Sequence, residues 1–213
     1  MTTWTSDGEL FELIKSELFT AVVGDVMDKL GLTNQFLPPY LSVLTRDVFV
    51  EVSEGSANKL MAKPFGLMFE ALDSLSENDV YICTGSSPNY ALWGGLMSTR
   101  AQHLKAAGAV LDGYVRDSSD IGLPVASRGC YAQDQGPRGK VLDYNVPLII
   151  GQVRVNPGDI IIGDCDGILC VPRAQAFAVI NAAIEKVRGE SAVRDALKKG
   201  MSTVEAFETF GIM

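Results

Sequence analysis

The sequence predicts a layered α/β domain with a mixed sheet. Three observations carry this. Helical periodicity occupies both ends of the chain, and strand-like segments crowd the middle. The strands between residues 120 and 171 follow one another too closely for a helix to fit in each connection. No repeat, low-complexity stretch or linker divides the 213 residues, so the whole chain, 1–213, reads as one domain.

The elements follow in order. "SDGELFELIKSEL" places Leu10, Phe11, Ile14 and Leu18 at helical spacing, with Ser6 or Asp7 as the cap. In "TAVVGDVMDKLG", Val22, Val23, Val26, Met27 and Leu30 share a second helical face that Gly31 ends. Pro38 and Pro39 make "FLPPYLSVL" an extended connector. "DVFVEVS" alternates as a strand, "GLMFEALDSL" returns to helical spacing, and "ENDVYICTG" is a buried strand ending at Gly85. "NYALWGGLMSTRAQHLKAAG" reads as a helix with Gly94 and Gly95 near its start, and "AVLDGYV" as the next strand. "LPVASRG" and "PLIIGQVRV" are short strands, and "NPGDIIIGDCDGILCVP" is a tight turn followed by two more. After Ala174 comes a long helical region, "QAFAVINAAIEKVRGESAVRDALKKG", and "STVEAFETFGIM" is a last short helix.

Composition narrows the function classes. Hydrophobic residues make up 47% and charged residues 21%, enough to bury a core. The formal net charge of -8 repels phosphate backbones and argues against nucleic acid as a direct partner. An anionic substrate therefore needs a local positive device: an arginine, a metal ion or a set of backbone N–H groups. No apolar stretch approaches the ~20 residues of a membrane span. The N-terminus has no basic stretch leading into an apolar run, so a cytoplasmic protein is expected. Cys83, Cys130, Cys165 and Cys170 form no CxxC pair, which argues against zinc; they are expected as buried thiols in a reducing compartment.

Three candidate sites stand out. Gly94–Gly95 leads into a helix, where free N–H groups bind anions and glycine permits close approach; a turn or a tight helix–sheet contact is the alternative. Arg116–Asp117 follows "DGYV". Neighbours on a strand point to opposite faces, so both serve one site only if the strand ends at Val115. A guanidinium there would hold a carboxylate or enolate oxygen, and the aspartate would hold Mg²⁺. The alternative is a strand-end ion pair worth ~0–1 kcal/mol. Asp164 and Asp166 in "GDCDG" are read as a hairpin turn, with a metal site as the alternative. His103, the single histidine, is read as structural, and no GxSxG elbow supports a hydrolase triad.

"TAVVGDVMDKLG", "ALWGGLMSTRAQHLKAAGAVLDGYVRD" and "VNPGDIIIGDCDGILCVP" together resemble the RraA-like family in order and spacing. That family includes the class II 4-hydroxy-4-methyl-2-oxoglutarate/4-carboxy-4-hydroxy-2-oxoadipate aldolases, a regulator of ribonuclease E activity, and members once misnamed as menaquinone methyltransferases. The resemblance covers nearly the whole chain, and the Arg–Asp pair and the "PGD…D.DG…VP" stretch are its most specific parts. It implies an α/β/β/α sandwich of the swivelling β/β/α type, assembled as a homotrimer or homohexamer with sites between subunits.

For the site, the resemblance implies that Asp117 anchors Mg²⁺ or Mn²⁺, largely through waters. Arg116 would bind the carbonyl or enolate oxygen of pyruvate, and Gly94, Gly95 and Leu96 would offer N–H groups to a carboxylate. Glu190 from a neighbouring subunit, with Glu185 second, would approach the metal. The implied activity is a metal-dependent lyase on small 2-oxo acids. It would perform retro-aldol cleavage of a 4-hydroxy-2-oxo acid or oxaloacetate decarboxylation, both through a pyruvate enolate. The alternative is a regulatory or binding protein of the same fold with weak catalysis or none. One position departs from the pattern: Gly95 stands where the aldolases carry Asp or Glu.

Overall fold

The computed structural model describes residues 2–43, 65–85 and 89–211. The expected strand "DVFVEVS" lies outside them. Helix α1 (Asp7–Glu17) begins where the Ser6 side chain accepts the Glu9 N–H, and it buries Leu10, Phe11 and Ile14. Helix α2 (Thr20–Lys29) buries Val22, Val23, Val26 and Met27. Strand β1 (Ser42–Val43), helix α3 (Met68–Asp73), strand β2 (Val80–Thr84), strand β3 (Ala91–Trp93) and helix α4 (Gly95–His103) follow. Strands β4 (Gly108–Asp112), β5 (Tyr114–Val115), β6 (Val125–Ser127), β7 (Leu148–Ile150), β8 (Val153–Val155), β9 (Ile160–Asp164) and β10 (Gly167–Val171) fill the middle. Helices α5 (Ala176–Lys198) and α6 (Thr203–Phe210) close the chain.

Strand alternation sets the layers. Ile160 and Ile162 of β9, with Leu169 and Val171 of β10, face α1, α2 and α5. Ile161, Ile168 and Cys170 face the other way and pack on Val80, Val110 and Ala126. Those three belong to a four-stranded sheet of order β1-β6-β4-β2. In that sheet β4 runs parallel to β2 and β6, while β1 is antiparallel. The sheet's far face, Tyr81, Ala109, Leu111 and Val125, packs on Ala71 and Leu72 of α3 and Ala101 of α4. The result is helix, sheet, sheet, helix: a mixed α/β/β/α sandwich.

Three segments divide more finely than the sequence pattern suggests. Ala91–Trp93 is a strand before α4, not its first turn. "AVLDGYV" breaks at Gly113, and its second half leaves the β4 sheet to pair in parallel with β3. "PLIIGQVRV" is a β7–β8 hairpin that folds back at Gly151, whose φ of 63° favours glycine. Asp164 is structural, as its turn reading implies. Its carboxylate accepts the Thr20 N–H at 2.8 Å, the Thr20 hydroxyl at 2.7 Å and the Asp166 N–H at 2.9 Å, tying the β9–β10 turn to the start of α2.

A polar knot holds the ends of the parallel strands. Asp112, buried at the end of β4, accepts from Arg128 Nε at 2.9 Å and Nη2 at 2.7 Å, from the Tyr40 hydroxyl at 3.2 Å and from Thr84 Oγ1 at 3.0 Å. The Arg128 guanidinium also lies 4.0 Å over the Tyr40 ring. This knot anchors the point where the chain leaves β4 for β5 and the candidate site. Among the described residues no helix is long and apolar enough to cross a membrane.

Two predictions follow from burial. Asp112→Ala removes the acceptor shared by Arg128, Tyr40 and Thr84 and lowers unfolding stability by about 2–4 kcal/mol. Chemical denaturation measures this, and a loss below about 1 kcal/mol would show that the knot is dispensable. The cysteine expectation is corrected for Cys130 and Cys165, which are exposed, while Cys170 is buried and Cys83 half-buried. Burial pushes the Cys83 thiol up to about 12 and raises that of Cys170. A thiol reagent at mildly alkaline pH therefore labels Cys130 and Cys165 first; fast labelling of Cys83 would contradict its burial.

Candidate functional site

The site grows from the end of β5. Val115 is fully buried, and its N–H donates to the Gly129 carbonyl while its own carbonyl accepts the Tyr131 N–H. On the other side the Arg116 N–H donates to the Trp93 carbonyl at 3.0 Å. The strand ends there. Asp117 adopts a left-handed conformation with φ 54° and ψ 39°, and Ser118–Asp120 form one helical turn, closed by the Asp120 N–H on the Asp117 carbonyl. Aspartate is among the few non-glycine residues that tolerate this region, and such strain clusters at functional sites.

The turn answers the question that the Arg116–Asp117 pair raises. Both side chains lie against Gly94. A β-carbon placed on Gly94 would sit 2.8 Å from Asp117 Oδ2, 3.2 Å from Arg116 Cγ and 3.4 Å from Arg116 Nε. Gly94 is therefore needed for close approach, not for unusual torsion: its φ of -160° is ordinary extended backbone. Asp117 Oδ2 accepts the Gly95 N–H at 3.1 Å and lies 3.8 Å from Arg116 Nε.

Helix α4 starts at this point. Trp93 is buried, and its indole N–H donates to Ser98 Oγ at 2.8 Å, which in turn donates to the Gly94 carbonyl at 3.1 Å. That relay fixes the step from β3 into α4. The first turn of a helix leaves N–H groups without intrahelical acceptors. Gly95's is taken by Asp117, and those of Leu96 and Met97 have no acceptor within the helix. Leu96 is 88% exposed.

The structure thus brings Gly94, Gly95, Leu96, Arg116 and Asp117 together. It does not bring Glu190 to them within the chain. Glu190 lies on α5 in the opposite helical layer, 3.6 Å from Lys186, which also pairs with Asp25. His103 is exposed at the far end of α4, about 12 Å along the helix from Gly95. Asp164, Cys165 and Asp166 form the one compact metal-capable group among the described residues. The Asp164 carboxylate in it already accepts the three N–H and hydroxyl donors named above.

Two carboxylates at the site were not singled out from sequence. Asp134 Oδ1 lies 3.4 Å from Arg116 Nη2, and its Oδ2 accepts the Gly136 N–H at 3.2 Å. Asp120 stands on the other side, with its Cβ 3.3 Å from where a Gly95 side chain would begin. Asp134 comes from "DQGPRGK", which carries no periodic signal; only the bridge between Ala91 and Asp134 brings it in. A cavity of about 490 Å³ runs along β2, walled by Leu75, Ile82, Val141 and Leu148, and the Arg116–Asp117 site is not part of it.

In chemical terms the site has a guanidinium held by two carboxylates at 3.4 and 3.8 Å, distances that leave its N–H groups able to bind an anion. Beside it stands a half-exposed carboxylate whose Oδ1 accepts no hydrogen bond among the described residues.

Comparison with known proteins agrees with this fold. The chain is 28% identical over 144 residues to a protein of Halalkalibacterium halodurans provisionally named a 4-hydroxy-4-methyl-2-oxoglutarate aldolase, covering 66% of this chain and 68% of that one. It is 33% identical over 113 residues to the uncharacterized protein MJ0644 of Methanocaldococcus jannaschii, covering 52% of this chain and 54% of that one. Among solved structures, an uncharacterized protein from Pseudomonas syringae pv. tomato superposes with a TM-score of 0.82 at 23% identity, over 99% of this chain and 98% of that one. Streptomyces coelicolor RraAS2, described as an unusual member of the RNase ES inhibitor RraA protein family, superposes with a TM-score of 0.77 at 21% identity, over 89% and 98%. These two structures share the fold. A family model, RraA-like, Aldolase/RraA, matches residues 20–170, and the chain belongs to that family.

Proposed function

We propose that the chain is a divalent-metal-dependent lyase acting on small 2-oxo acids, cleaving a 4-hydroxy-2-oxo acid or decarboxylating oxaloacetate. One observation carries this reading: the left-handed turn at Asp117 sets an arginine and a carboxylate side by side at the start of α4. The name of the Halalkalibacterium relative supports the same reaction class.

The residues fit Mg²⁺ or Mn²⁺. The donor is a hard carboxylate oxygen, half-exposed, and Mg²⁺ is held by one or two carboxylates plus waters. Asp117 would hold the ion through Oδ1 while the Gly95 N–H keeps Oδ2 in place. When bound, the ion supplies Lewis-acid stabilisation of negative charge developing on the substrate. Arg116 pairs with the 2-oxo oxygen and grows stronger as that oxygen becomes an enolate. The Leu96 and Met97 N–H groups face the substrate carboxylate from the helix start. In a trimer or hexamer, a second copy would bring Glu190 as a further oxygen donor.

A second reading keeps the fold but makes the protein a regulator or binding module. It is favoured by the absence of a carboxylate on the first residue of α4, Gly95.

Pyruvate release from oxaloacetate and from 4-hydroxy-4-methyl-2-oxoglutarate, with Mg²⁺, Mn²⁺ or EDTA, separates the two. The lyase reading expects metal-dependent turnover that EDTA abolishes and that Arg116→Ala lowers about 10²–10³-fold. Asp117→Ala abolishes the metal-dependent turnover with little loss of stability. No turnover above the metal-only background favours the regulator, and full activity in Asp117→Ala rejects the metal role. Gly94→Ala tests the geometry: its methyl group displaces the Asp117 carboxylate and the Arg116 stem, lowering kcat/KM about 10²-fold with folding retained. An unaffected rate would show that the close packing at Gly94 is incidental.

A further inference from the structure

The proposed enolate contact falls to Arg116, and a guanidinium on a long stem needs something to fix where its nitrogens point. The Arg116 backbone is set by its N–H on the Trp93 carbonyl, and the stem lies against Gly94. Two carboxylates approach the head. Asp117 Oδ2 lies 3.8 Å from Nε, and Asp134 Oδ1 lies 3.4 Å from Nη2. Neither contact is made by Nη1, which donates no hydrogen bond among the described residues.

Asp117 is poorly suited to hold the arginine in the working site. The lyase reading gives that carboxylate to a divalent ion, and a guanidinium drawn onto it would compete with the ion. Asp134 stands outside this competition, and its own loop aims it. The Gln133 carbonyl accepts the Ala91 N–H at 2.8 Å and Asp134 bridges to Ala91, so the loop is stitched to the start of β3. The Asp134 carbonyl accepts Arg138 Nη1 at 3.0 Å, and its Oδ2 accepts the Gly136 N–H at 3.2 Å. The Arg138 and Gly139 N–H groups both donate to the Gln135 carbonyl, at 2.7 and 2.9 Å, and close the turn. A β-carbon on Gly136 would sit 2.8 Å from Asp134 Oδ2 and 3.3 Å from the Phe65 ring, so only glycine fits there unshifted. One carboxylate oxygen is thereby fixed on the loop and the other is presented to Arg116. Stability does not account for the pair. The two side chains are 40% and 39% exposed, and an ion pair so exposed adds little to folding.

We infer that Asp134 is the positioning residue for Arg116, a role that rests on the lyase reading above. Its carboxylate holds the Nη2 end of the guanidinium apart from Asp117 and leaves Nη1 as the donor to the 2-oxo oxygen. It takes no proton and acts only through the arginine. Removing its charge frees the guanidinium to turn onto Asp117 while the cation stays in the site. An anionic substrate is still attracted, but the developing enolate loses its aligned donor.

The test compares the full-length wild type, Asp134→Asn, Arg116→Ala and the double variant in pyruvate release from oxaloacetate with Mg²⁺. The asparagine keeps an oxygen for the Gly136 N–H, so the turn stays closed and the melting temperature stays within about 2 °C of wild type. Asp134→Asn is expected to lower kcat about tenfold and to leave KM unchanged or lower, because Arg116 loses a counter-charge and keeps its own. In the Arg116→Ala background, read at enough enzyme to exceed the metal-only rate, the same substitution costs less than about twofold, since no guanidinium is left to aim. A loop defect would instead raise KM and cost as much in both backgrounds, and either result overturns the role. Full activity in Asp134→Asn also overturns it while leaving the lyase reading intact. A wild-type chain that releases no pyruvate above the metal-only rate overturns the lyase reading, and this role with it.

Discussion

Two residues adjacent on a strand diverge, and the candidate site exists because the backbone at Asp117 does not continue the strand. The left-handed turn costs on the order of 1–3 kcal/mol, so the surroundings must impose it. They do so from three sides. The Arg116 N–H is fixed on the Trp93 carbonyl, the Asp117 carbonyl on the Asp120 N–H, and the Asp117 carboxylate on the Gly95 N–H. The last bond matters most, because it joins two segments twenty-two residues apart in sequence. It also places an anion at the positive end of α4. Without it the arginine, the carboxylate and the helix start would be three separate surface features.

The layered core supplies what that bond needs, a rigid frame. Gly113 interrupts the run from β4, letting Tyr114–Val115 join β3 in a second, smaller sheet. Asp112, just before the break, is clamped by Arg128, Tyr40 and Thr84. Strain at Asp117 is thus held between a buried polar knot on one side and a buried tryptophan on the other. A site carried by loops but anchored at strand ends is a common arrangement in α/β folds, where ligands bind beyond the carboxyl ends of parallel strands.

Much of this was legible in the residues. Ser6 capping α1, the apolar face of α1 and the turn before β9 follow from local chemistry, and the structure keeps them; it keeps the α2 face too, except for Leu30, which lies just past the helix end and is exposed. The Arg116–Asp117 pair was visible as a question, since sequence alone did not show that the strand ends at Val115. What stayed hidden depends on tertiary pairing. Ala91–Trp93 has helical neighbours, and only pairing with β5 makes it a strand. Asp134 reaches Arg116 through a bridge to Ala91, forty-three residues away in sequence. Asp120 looked like part of a polar turn, and its closeness to Gly95 arises from the packing of that turn on α4.

The two aspartates at helix starts show how the same chemistry yields a closed clamp in one place and a carboxylate with an open oxygen in the other. Asp164 accepts the Thr20 N–H at the start of α2, as Asp117 accepts the Gly95 N–H at the start of α4. Asp164 then fills its second oxygen with the Thr20 hydroxyl and the Asp166 N–H. A cation would have to share that carboxylate with three donors, although Cys165 and Asp166 stand close by. Asp117 has one oxygen fixed on a backbone N–H and one open, with the Arg116 guanidinium beside it. The difference lies in residue 20 against residue 95. Threonine brings a hydroxyl that completes the carboxylate's coordination, whereas glycine brings only its N–H and leaves the other oxygen for a ligand. What the glycine at the helix start omits keeps the neighbouring carboxylate open.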